Sequence, residues 1–329
     1  MNTKILLNER PHGEPNLGNF KTVKEDIRTP NDGEVLLKTI YMSLDPYMRG
    51  RMNDAKSYAK PVEIGEVMEA GALSQVIESK SKLFKPGDFV EGRTGWQDNP
   101  TVDEKKLRLI DPEMAPLSTS IGVLGMPGTT AYVGMHNFAK PQKGETLVVS
   151  AASGAVGSTV GQIGKIYGCR VVGVAGTDDK CKFTKTELGF DDCVNYKDPN
   201  FKEKLKSACP DGVDIYFENT GGAIQQAVYD RMNAHGRIIV CGMIADYTAA
   251  EPSAGPNWIP MIKKRLTVRG FTVPDHYDEI PSLLEQLTPY VMSGKVKYRS
   301  HVLEGLESAI DGLNLFFTGG NRGKLIVKL

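Results

Sequence analysis

No cysteine occurs before Cys169, and only five occur among 329 residues: Cys169, Cys181, Cys193, Cys209 and Cys241. None forms a Cys-x-x-Cys pair, and the count is odd. This spacing argues against a disulfide framework. The thiols read as reduced and mostly buried, as in a cytoplasmic protein. Histidine is equally thin. His12 stands alone before His136, and His235, His276 and His301 are scattered with no i, i+4 pair. No tetrahedral N/S site can be assembled from the first part of the chain, so no metal is expected. Charge of one sign is missing too: 40 Lys and Arg balance 40 Asp and Glu. That leaves no electrostatic case for nucleic acid or an anionic membrane as the main partner. No apolar run approaches the ~20 residues that span a bilayer, and no charged and apolar leader pattern opens the chain.

The most informative segment that is present runs from Thr146 to Gly157, Thr-Leu-Val-Val-Ser-Ala-Ala-Ser-Gly-Ala-Val-Gly. It reads as a buried strand, a small-residue turn and the start of a helix. Such a turn lets the backbone approach a pyrophosphate, which the helix's free N–H groups and positive dipole end then hold. Ala151 takes the first glycine position of the usual pattern, and Gly154 and Gly157 take the second and third. Small residues at strand-to-helix turns also serve packing alone, so the surroundings decide. A helix is expected over 155–167, with Val156, Val160, Ile163, Gly164 and Tyr167 on one stripe and Gly168 as its cap. The apolar run 170–175 then reads as a strand covered on both faces. Together they make a βαβ unit that binds a dinucleotide through Gly154, Ala155, Val156 and Gly157.

An NAD site usually has Asp or Glu at the end of that second strand, against the ribose hydroxyls. Here the position is Gly176, followed by Thr177, Asp178, Asp179 and Lys180. A glycine leaves room for a 2′-phosphate. Thr177 can donate to it, Lys180 can supply charge, and Tyr196 can add a phenolic donor. The plainer alternatives are a solvated Lys180, a Tyr196 that caps the sheet edge, and aspartates that neutralise a helix dipole. The pattern favours NADP(H).

Two textures share the chain. Before about residue 120 it is β-rich and turn-rich, with strands expected at 35–41, 62–67 and 88–92. From 121 to 294 strands and helices alternate: strands at 193–196, 213–219, 237–241 and 267–273, helices at 199–208, 223–233 and 279–292. This predicts a doubly wound parallel sheet. A helix near 303–317 and a closing strand at 324–329 return to the first texture. The expected domains are therefore 1–120 with 295–329, and 121–294. No linker separates them, and a tight interdomain cleft is expected.

Five strings carry a family resemblance. They are Ser-Leu-Asp-Pro-Tyr-Met-Arg at 43–49, Gly-Met-Pro-Gly-Thr-Thr-Ala-Tyr at 125–132, Ala-Ala-Ser-Gly-Ala-Val-Gly at 151–157, Glu-Asn-Thr-Gly-Gly at 218–222 and Cys-Gly-Met-Ile at 241–244. In these the chain resembles the zinc-independent medium-chain dehydrogenase/reductases. The branch is that of the NADPH-dependent double-bond reductases, which holds the prostaglandin and plant alkenal reductases. The resemblance implies an α/β fold, a β-rich GroES-like domain plus a Rossmann doubly wound parallel-sheet domain. It implies reduction of the carbon–carbon double bond of an electrophilic alkene, an α,β-unsaturated aldehyde or ketone. A zinc-free quinone reductase of the ζ-crystallin type and a catalytically idle NADPH-binding protein remain open beside it. Members of the branch are often homodimers, and nothing in the sequence marks a seam.

Hydride addition to such an alkene moves negative charge onto the carbonyl oxygen, which needs a donor. Tyr247 follows the strand 237–241 at a C-terminal strand end, where open α/β sheets bind ligands. The resemblance places it near the carbonyl oxygen. Tyr47, in the Asp-Pro-Tyr loop, is the second candidate, facing the cleft from the other side. Either could instead be a packed tyrosine paired to backbone. For the cofactor, the resemblance implies contacts at Asn219, Cys241, Phe271, Val273 and Asn321. It leaves the role of Arg322 open, where the family more often has an apolar residue. Residues 244–262, poorly patterned around Trp258, are a candidate lid.

Overall fold

The computed structural model describes residues 1–329. They form two compact units, Met1–Gly122 with Ser300–Leu329, and Val123–Arg299.

In the first unit β1 (Asn2–Leu7) pairs antiparallel with β2 (Phe20–Glu25). There follow β3 (Glu34–Ser43), the single turn α1 (Tyr47–Arg51), β4 (Gly71–Ser79), β5 (Phe89–Arg93), β6 (Thr101–Asp103) and β7 (Leu107–Ile110). The strand expected at 62–67 does not form. Gly65 adopts a left-handed φ of +90°, and the Glu66 N–H turns back onto the Glu63 carbonyl. Only one isolated bridge, Leu6 to Val67, survives there.

The second unit opens with α2 (Met126–Val133) and then alternates. Its elements are β8 (Thr146–Ser150), α3 (Ala155–Ile166), β9 (Arg170–Ala175), α4 (Asp178–Thr186), β10 (Asp192–Asn195) and α5 (Phe201–Ala208). After these come β11 (Val213–Glu218), α6 (Gly222–Tyr229), β12 (Met232–Val240), α7 (Ile259–Lys264), β13 (Thr267–Gly270) and α8 (Ile280–Met292). The sheet order is β10-β9-β8-β11-β12-β13, and every pairing is parallel. This is the doubly wound order whose direction reverses between β8 and β11. All five residues of β8 are buried, as a strand covered on both faces requires. Val148, Val172, Val174 and Tyr216 form one core with α5 and α6. Each such valine contributes roughly 1.5–3 kcal/mol by leaving water. Helix α3 lies close on the sheet: a Cβ on Gly161 would stand 1.9 Å from the Phe190 ring and one on Gly164 2.5 Å from Leu147.

The chain returns to the first unit through β14 (Ser300–Glu304), α9 (Ser308–Thr318) and β15 (Lys324–Lys328). The helix expected near 303–317 is thus preceded by a strand, because Gly305 turns the chain at a φ of +81°. The larger sheet runs β14-β15-β3-β4-β5-β7, with β6 also on β3. Met42, Leu44, Met48, Trp96, Leu313 and Leu325 lie in its main core.

Candidate functional site

The carboxyl ends of β8 and β11 flank the point where the strand order reverses, the place where open α/β sheets take ligands. At the end of β8 the chain turns sharply. Ala151 holds a φ of +50°, the left-handed region that disfavours a Cβ, and the Gly154 N–H donates to the Ala151 carbonyl at 2.9 Å. Helix α3 begins at once, and no side chain caps it. Its first-turn N–H groups, at Ala155, Val156 and Gly157, are therefore available to an anion. A Cβ on Gly157 would lie 2.4 Å from the Ala151 carbonyl oxygen, so only glycine lets the turn close on the helix. The cradle fits a dinucleotide pyrophosphate.

Opposite substitutions test it. Ala151→Gly relieves a strained φ and should raise stability by about 0.5–1 kcal/mol. Gly157→Ala forces a methyl onto backbone and should lower it by about 1–3 kcal/mol. Thermal unfolding of both proteins reads the two signs.

At the end of β11 a carboxylate organises the loop. Glu218 is fully buried, and its Oε1 accepts from the Thr220 N–H at 2.7 Å, the Gly221 N–H at 3.0 Å, the Ser150 hydroxyl at 3.0 Å and the Thr220 hydroxyl at 3.1 Å. Ser150 Oγ in turn accepts from the Asn219 N–H at 2.8 Å, and the Asn219 side-chain amide donates to the Ser150 carbonyl at 2.8 Å. The side-chain amide of Asn219 is thus pinned against the glycine turn of β8.

The next loop hangs on the same scaffold. The Cys241 and Gly242 N–H groups donate to the Glu218 carbonyl, Ile244 to that of Asn219, and Ala245 to that of Thr220. This holds the Tyr247 loop beside the carboxyl end of β11. The Tyr247 hydroxyl lies beside Gly242, where an added Cβ would be 3.1 Å away. Burial, with Glu218 second, pushes the Cys241 thiol up to about 12, so it stays protonated at neutral pH and is no nucleophile.

At the end of β9, Thr177 is the N-cap of α4, its side chain accepting from the Lys180 N–H at 3.2 Å. Asp178 and Asp179 fill the first turn, and Asp178 accepts from Asn195 at 2.9 Å. A Cβ on Gly176 would meet the Tyr196 ring at 3.0 Å and its hydroxyl at 3.3 Å. Gly176, Thr177, Lys180 and Tyr196 thus share one edge of the sheet. The strand expected to reach 273 ends at Gly270. Phe271 lies beyond it, its ring against Phe138 and Phe217 at centroid distances of 5.4 and 6.4 Å, and Val273 opens a short 3-10 segment.

Tyr47 and Asn321 belong to the first unit. Tyr47 opens α1, and the Arg51 guanidinium stands 5.8 Å from its ring centroid. Asn321 donates to the Gly323 carbonyl at 3.3 Å, while Arg322 is exposed. Lys324 links the two segments. Its ammonium donates to Ser43 Oγ at 2.5 Å, the Leu44 carbonyl at 2.7 Å and Asp45 Oδ1 at 2.8 Å. The Ser43 hydroxyl donates to Asp45 in its turn. Arg49 completes the knot by donating to the Gly13 and Pro11 carbonyls.

Sequence comparison agrees with this architecture. A family model described as "N-terminal domain of oxidoreductase" matches residues 3–110, and one described as "Zinc-binding dehydrogenase" matches residues 155–288. The chain is 44% identical to the NADPH-dependent curcumin reductase of Escherichia coli, over 100% of this chain and 97% of that protein. The chain belongs to the medium-chain dehydrogenase/reductase family. It is also 41% identical to the 2-alkenal reductase (NADP(+)-dependent) of Nicotiana tabacum, over 99% of this chain and 97% of the relative. The crystal structure of CurA in complex with NADPH from Vibrio vulnificus superposes with a TM-score of 0.95 at 44% identity, covering 99% of this chain and 98% of the other.

Despite the second family model's description, no three His, Cys, Asp or Glu side chains of this dehydrogenase/reductase group where they could hold a metal ion. Two of its organising residues escape sequence reasoning. Glu218 shows itself only as a carboxylate ending an apolar strand. Lys324 gives no signal at all, because its partner Asp45 lies 279 residues away.

Proposed function

We propose that this chain reduces the carbon–carbon double bond of α,β-unsaturated aldehydes and ketones with NADPH. One observation carries the reading: Ser150, which leads into the small-residue turn, and the Tyr247 loop are tied to the same segment, Glu218–Thr220, the first through the buried Glu218 carboxylate and the second through backbone carbonyls. The named activities of the E. coli and tobacco relatives are of this kind.

In this reading Gly154, Ala155, Val156 and Gly157 bind the pyrophosphate. Thr177, Lys180 and Tyr196 take the 2′-phosphate in the space left by Gly176. Asn219, Cys241, Phe271, Val273 and Asn321 contact the rest of the cofactor, the residues past β13 by backbone groups. NADPH supplies the hydride that the β-carbon of the alkene accepts. Tyr247 donates its hydroxyl proton in a hydrogen bond to the carbonyl oxygen as negative charge gathers there. Tyr47 is the second candidate donor.

A panel of an alkenal, an enone and a benzoquinone, scored by loss of reduced-nicotinamide absorbance, tests the function. Turnover of the first two with the saturated carbonyl as product is expected. Turnover of benzoquinone alone would replace the reading with quinone reduction, and none at all with tight NADPH binding would leave an idle binding protein.

The cofactor assignment has its own test. Lys180→Ala should raise KM for NADPH about three- to tenfold, the size of one partly exposed charge contact, with little change for NADH. An equal rise for both nucleotides removes Lys180 from the phosphate.

A further inference from the structure

Helix α4 and strand β10 bring two thiols together. Cys181 Sγ and Cys193 Sγ stand 2.9 Å apart, twelve positions from each other in the chain. Both are buried, yet both line a cavity of about 510 Å³, walled in addition by Asp178, Lys182, Lys185 and Asn195. The pair therefore borders a space large enough for a small oxidant.

The two thiols are not equivalent. The Cys193 S–H donates to Cys181, which holds the Cys181 thiol below its ordinary value and pushes that of Cys193 up. Burial and Asp178 work against the lowering at Cys181, and Lys185 with it. Cys181 is the fourth residue of α4, its N–H bonded to the Thr177 carbonyl at 3.0 Å. Elsewhere burial pushes Cys169 and Cys209 up to about 11 and Cys241 to about 12. The pair alone combines a low-lying thiol, a resolving thiol and an access route.

We propose that Cys181 and Cys193 form a redox-active dithiol that a small hydroperoxide oxidises to a disulfide. Cys181 sulfur attacks one peroxide oxygen, the O–O bond breaks, and water leaves with Cys181 as a sulfenic acid. Cys193 sulfur then attacks Cys181 sulfur, expelling hydroxide, which takes up the Cys193 proton as a second water. Two thiols and one hydrogen peroxide become one disulfide and two waters. The bond ties α4 to β10, the elements that bring Thr177 and Lys180 up to Tyr196.

The test treats the full-length protein with hydrogen peroxide in modest excess and follows it by intact mass and non-reducing peptide mapping. Loss of two hydrogens and a linked 181–193 peptide, both reversed by dithiothreitol, are expected. Cys193→Ser should instead trap a sulfenic acid on Cys181 that dimedone labels, and Cys181→Ser should give neither product. Addition of oxygen to either cysteine without linkage in the wild-type protein, or both thiols still alkylatable after treatment and denaturation, overturns the proposal.

Discussion

Tyr247→Phe lowers kcat on an enone by about 10- to 1000-fold while the affinity for NADPH stays within about twofold. The size follows from removing the one donor proposed for the developing oxyanion. The split follows from where the hydroxyl is built. Tyr247 is carried on a loop whose N–H groups are tied to the carbonyls of Glu218, Asn219 and Thr220. On its far side Asp246 accepts from the Ser253 N–H at 3.0 Å and hydroxyl at 2.6 Å. Backbone bonds and Asp246 hold the loop, so the cofactor cradle is expected to stay intact when one oxygen is deleted. Gly242→Ala supplies the matching test with the tyrosine in place. Its methyl would stand 3.1 Å from the hydroxyl and push it by a few tenths of an ångström. If the hydroxyl works by position, this variant too loses kcat and keeps NADPH affinity. Unchanged turnover in Tyr247→Phe would leave the charge to other donors, and a parallel loss of NADPH binding would make the residue structural.

The second unit was legible because its chemistry is local. A strand covered on both faces must be a continuous apolar run, as 146–150 and 170–175 are, and the turn that ends one must be small where a helix follows within four residues. The same logic singles out Gly176, where a Cβ would stand 3.0 Å from the Tyr196 ring. Where structure depends on distant partners, the reading lost definition. The 62–67 segment alternates well enough for a strand, but Gly65 lets it turn back on itself, and nothing nearby shows that preference winning. The helix expected near 303–317 overlaps the end of β14, and only pairing with β15 assigns those residues to a strand. Glu218 looked like the last polar residue of a strand. The two N–H groups and two hydroxyls from which its Oε1 accepts come from β8 and from the loop it ends, while its Oε2 is buried without a partner.

The first unit carries the same lesson in energetic form. Lys324→Met should cost about 3–5 kcal/mol, because it leaves the Asp45 carboxylate buried without its counter-charge. Lys324 and Asp45 have side chains only 6% and 8% exposed. Burial by itself drives the Lys324 amine down, and Asp45 opposes that shift. What keeps the charge tolerable is geometry: an ammonium has three protons, and Ser43 Oγ, the Leu44 carbonyl and Asp45 Oδ1 are three acceptors at bonding distance. A buried pair of this kind need not be stabilising against an apolar one. Lys324→Met combined with Asp45→Leu should therefore recover most of the loss, to within about 1–2 kcal/mol of the parent. Urea unfolding of the three proteins separates the cases. If the pair exists for stability, the double variant regains activity with its fold. If it exists to position Tyr47 and Asn321, whose loops it joins, the double variant refolds with a kcat that stays low. Equal stability of the single and double variants would mean that water reaches Asp45 once Lys324 is gone, and the knot would then be a surface pair closed over by its own loops.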